Sequence, residues 1–74
     1  VIQDEYETDP HYREAVRRLS AEFGGRLPRK VVARTVLDAR RDLEGRIMPE
    51  AMAEMLHHLA HHRLGAVIGE ARAR

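Results

Sequence analysis

Four of the five histidines in this 74-residue chain fall within one short stretch, as His57, His58, His61 and His62. On a helix this spacing makes two i,i+4 pairs, His57 with His61 and His58 with His62, the separation at which two imidazoles can share one metal ion. Glu54 and His57 also form a Glu-x-x-His element, the unit that di-metal helix bundles turn toward their cores. Zinc, nickel or copper would suit such donors. Each pair supplies only two ligands, so a four-coordinate zinc would need Glu54 or groups from a second chain. Imidazoles clustered in this way would gain charge together near neutral pH and repel one another, so the helix carrying them is expected to weaken in mild acid.

Other chemistry has little to work with. There is no cysteine, hence no disulfide and no thiolate ligand. The single serine, Ser20, lies inside an amphipathic segment, and no glycine pair follows a strand to cradle a phosphate. No nucleophile stands with a base and an orienting group, which argues against an enzyme. Arg13, Arg17, Arg18, Arg26, Arg29, Lys30, Arg34, Arg40 and Arg41 could offer phosphate a basic face, with Gly24 and Gly25 in the turn of a helix-turn-helix. Glu14, Glu22, Asp38 and Asp42 share those segments, no aromatic residues are interleaved, and the net charge is only +1, so a solvated charged surface is the favoured reading over DNA binding.

Three helices have to position these groups. Asp9 is an N-cap by type and Pro10 follows at the first helical position, where a missing N–H costs nothing. Tyr12, Ala15, Val16, Leu19 and Phe23 then trace one apolar face, and Gly24 and Gly25 end the helix by taking the left-handed conformation. A second helix is predicted from Pro28, with Val32, Val36, Ala39 and Leu43 on its apolar face and Gly45 as the residue that closes it. Leu27 at its cap position offers no capping side chain, so its start is expected to fray. The third helix opens near Met48 with Pro49 in its first turn and runs through Leu64 to Ile68 or beyond, with Gly65 and Gly69 weakening its last turns.

At about 100° per residue, Met48, Met52, Met55, Leu59 and Ala66 fall on one line of the third helix, widened by Leu56 and Val67. Glu50, Glu54, His57 and His61 fall opposite, facing solvent, with His58 and His62 at the flank of the apolar face. Short loops favour antiparallel neighbours, so the expected fold is all-α, an up-down-up three-helix bundle. The chain divides into a flexible acidic segment over 1–8, the bundle over 9–70 and a tail over 71–74.

A chain of this length buries too little surface to be stable by a wide margin, and without cysteines the remaining help is a metal or a partner. With 43% hydrophobic and 34% charged residues it is not disordered as a whole. Its apolar runs fall far short of the roughly 20 residues of a membrane span. No signal segment opens the chain, which fits a cytoplasmic location, and Val1 in place of an initiator methionine suggests trimming or excision from something longer. The methionines read as core filling, while the width of the third helix's apolar face leaves an excess suited to a dimer contact.

Glu22-Phe23-x-Gly25, the valine-spaced second helix with Val32, Val36 and Leu43, the Pro49 start and the Arg63-Leu64 pair together resemble a small three-helix-bundle dimerisation domain of actinobacteria. That domain occurs alone or in front of arsenate reductases and related low-molecular-weight phosphatase-like proteins. The resemblance spans Tyr12 to Val67. It implies a non-catalytic helical module that associates with itself, with an attached or interacting enzyme domain as a further partner. Members tend to carry mixed charged residues where this chain has its four histidines. The favoured reading is therefore a homodimerising interaction module without cofactor, with Met52, Met55, Leu56, Leu59 and Leu64 carrying packing and self-contact. A metal-binding or metal-responsive module using His57, His58, His61, His62 and Glu54 is the alternative.

Overall fold

The computed structural model describes residues 8–73, with side chains through residue 70. Apart from Thr8, the expected flexible acidic segment lies outside the described residues. Three α-helices make up the described chain: α1 (Pro10–Phe23), α2 (Arg29–Leu43) and α3 (Met52–Ala73), the last preceded by a 3₁₀ turn over Pro49–Ala51. The fold is all-α.

Asp9 starts α1 as its type predicts. Its carboxylate accepts a hydrogen bond from the Tyr12 amide at 3.3 Å, and Pro10 occupies the first turn. The same carboxylate also takes a 2.9 Å hydrogen bond from Nε of Arg40 near the end of α2, with both side chains only 17% exposed. Start of α1 and end of α2 are thereby tied together. The helix ends differently from the expectation. Gly24 is right-handed, at φ −57° and ψ −29°, and the chain tightens instead, the amides of Arg26 and Leu27 both donating to the Phe23 carbonyl at 2.9 Å. What requires glycine at position 24 is proximity, because a Cβ there would lie 2.6 Å from the Ser20 carbonyl oxygen. Left-handed closure occurs only after α2, at Gly45 with φ +77°, where the Glu44 amide returns to the Arg40 carbonyl at 3.1 Å. The start of α2 has Pro28 at its cap and no side-chain capping bond.

Ala15, Val16, Leu19 and Phe23 of α1 meet Val32, Val36 and Ala39 of α2 and Met52, Leu56, Ala60 and Leu64 of α3 in a single core. In α1 and α2 the periodicity picks out most of the buried residues, but Leu37, outside the predicted face, is buried as well, and Tyr12 and Leu43 are only partly buried. On α3 the buried stripe is different, for Met48, Met55 and Val67 are exposed and Ala60, absent from the predicted face, is fully buried. The helix is turned by roughly a quarter of a revolution from the methionine-centred projection. Its i,i+4 stripe places Ala60 between two leucines, a small residue among large ones that lets side chains from facing helices interdigitate. Gly65 and Gly69 do not end α3, which continues to Ala73 through most of the predicted tail.

Candidate interhelical histidine site

The rotation of α3 decides where the histidines stand. His57 and His61 each follow a core residue, Leu56 and Ala60, by one position, which sets them about 100° around the helix from the core. That direction is toward α1, where His57 is partly buried and His61 stays exposed at the edge of the seam. On α1, Glu22 precedes the buried Phe23 and lies three residues beyond buried Leu19, so its carboxylate reaches across the seam. Glu22 Oε2 is 2.9 Å from Nε2 of His61, and Oε1 is 3.9 Å from Nε2 of His57. One carboxylate thus addresses both imidazoles of an i,i+4 pair.

Aromatic contacts fix the rings. His61 stands edge-on to Phe23 with centroids 5.3 Å apart, and to His57 at 5.9 Å. His57 is the more enclosed of the two, 26% exposed against 52%. Its Nε2 is shut off from solvent without a hydrogen-bond partner. From His61, Glu22 and Phe23 an open groove extends along the seam past Gly25, Arg26, Gly65 and Ile68, and a Cβ on either glycine would meet nothing within 4 Å. On the other side of His57 a smaller recess is bounded by His11, Glu14, Arg18 and Ala53.

The other candidate ligands stay apart. His58 is 75% exposed, pairs with Glu54 at 3.8 Å across one turn of its own helix and stacks on His57 with centroids 6.3 Å apart, while His62 is exposed as well. Glu50 and Glu54 also point outward. The sequence projection is therefore corrected for the inner pair: His57 is partly buried and His61, though exposed, reaches Glu22 across the seam, while His58 and His62 lie on the solvent side. Among the described residues no three histidine or carboxylate side chains stand ready-made around a metal position. Glu22 escaped the sequence reading because it looks like one of several balancing acids; the signal that would have found it is the correct phase of α3.

Of the five residues expected to carry packing and self-contact, Met52, Leu56 and Leu64 are inside the core of a single chain, which removes them from any surface. Leu59 is partly buried against the core and Met55 is exposed. Met55, Leu59, Arg63 and Val67 make an i,i+4 row, and Arg63 in its middle reaches Asp42 at the end of α2 at 2.6 Å. The row thus runs along the α2 side of α3, away from the histidine seam. Several of the basic residues are engaged at home, with Arg17 paired to Glu14, Arg34 to Asp38 and Arg40 to Asp9. No family model matches the chain, and no curated protein or solved structure matches it.

Proposed function

We propose that this chain is a non-catalytic helical interaction module that pairs with a second copy of itself through the outer row of α3. The observation that carries this reading is the exposure of Met48, Met55 and Val67, the large hydrophobic side chains left exposed among the described residues. Two of them, with Leu59, line one side of a single helix, and an apolar row on one helix face is a surface that a two-fold axis can make self-complementary. Arg63 and Asp42, already paired in the middle of the row, supply a polar centre around which such a contact can be registered.

The bundle in this reading is up-down-up. The Asp9–Arg40 pair supports antiparallel α1 and α2, and the succession of α1 residues along α3, with Arg18 near His57 and Glu22 near His61, supports parallel α1 and α3. The likeness to actinobacterial dimerisation domains agrees with this arrangement and adds an enzyme domain, attached or interacting, in a cytoplasmic setting. No helix among the described residues is long and apolar enough to cross a membrane. Sedimentation equilibrium tests the reading: the chain is expected to dimerise in the presence of EDTA, and Met55→Glu with Val67→Glu to leave a helical monomer. A monomer at every concentration in the unsubstituted chain refutes it.

A further inference from the structure

We propose that Glu22, His57 and His61 form a divalent transition-metal site of the zinc type, built across the seam of α1 and α3 from the Glu22 carboxylate and two imidazole Nε2 atoms. Metal–ligand bonds of about 2.0–2.2 Å at tetrahedral angles set neighbouring donors roughly 3.3 Å apart. The Glu22 carboxylate spans both rings with its two oxygens, Oε2 at 2.9 Å from His61 Nε2 and Oε1 at 3.9 Å from His57 Nε2, separations on either side of that value. The imidazole centroids, 5.9 Å apart, stand close to the roughly 5 Å that two Nε2 ligands of one zinc would give. A small rotation of His57 and a spreading of Glu22 from His61 bring three donors to one point, which explains why the site is not ready-made among the described residues.

Two further features favour metal over a bare ion pair. The Nε2 atom of His57 is enclosed, faces Glu22 and has no hydrogen-bond partner, a cost that coordination would remove. The donors lie on two helices, at least 35 positions apart in the chain, so binding would clamp α1 to α3 in a molecule with neither disulfide nor large core. Arg18 and Arg26, a turn to either side of Glu22, oppose a cation, but both are exposed to water. Three protein donors leave a fourth position, which opens to the groove beside Gly65, for water or an exogenous anion.

The test is calorimetric titration of the full, untagged chain with Zn²⁺, paired with the visible absorption of Co²⁺. One equivalent is expected to bind, Co²⁺ to give the intense bands of tetrahedral coordination, and the thermal midpoint to rise with metal. Glu22→Gln and His61→Ala, at half-exposed positions where folding can be checked by circular dichroism, are each expected to weaken binding by about tenfold or more. The His58→Ala, His62→Ala double variant is expected to bind as the parent does. Absence of binding, binding that survives both seam variants, or binding lost with His58 and His62 overturns the site, the last result meaning a surface histidine pair only.

Discussion

Asp9 does two jobs with one carboxylate, and a pair of substitutions can separate them. It accepts the Tyr12 amide that opens α1 and holds the guanidinium of Arg40 on α2. Asp9→Ala removes both and should lower stability by about 1–2 kcal/mol, the cost of a lost cap, with a further loss from Arg40. Asp9→Asn keeps an acceptor for the cap and gives up the charge, so urea unfolding should place it between the two. A fully exposed pair behaves differently. The Arg17 guanidinium hydrogen-bonds Glu14 at 3.0 and 2.7 Å and, with the charges of Arg17 and Arg18, holds its carboxyl below the ordinary carboxylate value. A depressed folded value means that the pair's contribution is present above the unfolded pKa and is lost as pH falls through the folded one. An NMR titration of Glu14 should show the lowered midpoint, and Arg17→Ala should return it toward the ordinary value, with little change in global stability at so exposed a site.

The elements differ in how plainly the chain announces them, and their glycines show why. α1 and α2 could be read from apolar spacing bounded by glycines, with a capping aspartate to start α1, although α2 lacks a capping side chain and Gly24 closes α1 in a right-handed conformation. On α3 the signals conflict: three methionines pull a hydrophobic projection toward one side, while the space between α1 and α2 admits Leu56, Ala60 and Leu64. Shape, which one helix alone does not encode, decided the phase, and with it which histidines meet Glu22. The glycines likewise share a residue type but not a role. Gly65 lies inside α3 with open space where a side chain would go, so Gly65→Ala should stabilise by about 1 kcal/mol through helix propensity. Gly45, at φ +77°, has the same open space but a conformation that alanine resists, so Gly45→Ala should cost about 1 kcal/mol. Gly24→Ala should also destabilise, there by collision with the Ser20 carbonyl. Thermal midpoints of the three variants rank the explanations: if all three move the same way, the local geometry argued for each is wrong.

For the whole molecule the controlling fact is size. Net stabilities run at roughly 0.05–0.15 kcal/mol per residue, so a domain of this length is only a few kcal/mol from unfolding. Truncating a fully buried leucine such as Leu56 to alanine costs about 2–5 kcal/mol, enough to unfold much of the population of an isolated chain. Association changes that balance by mass action, since a partner that binds only the folded chain adds stability as concentration rises. The two readings of α3 therefore predict separable behaviour. If the outer row with Met55 and Val67 pairs two copies, the thermal midpoint should climb with chain concentration in EDTA, and Met55→Glu with Val67→Glu should flatten that dependence while sparing any response to zinc. If the inner seam with Glu22, His57 and His61 holds a metal, zinc should raise the midpoint of the flattened variant, and Glu22→Gln should abolish that rise without touching the concentration dependence of the parent. The two faces lie on opposite flanks of the core stripe, so the effects should add; loss of both responses from either substitution alone would mean that α3 carries one coupled surface.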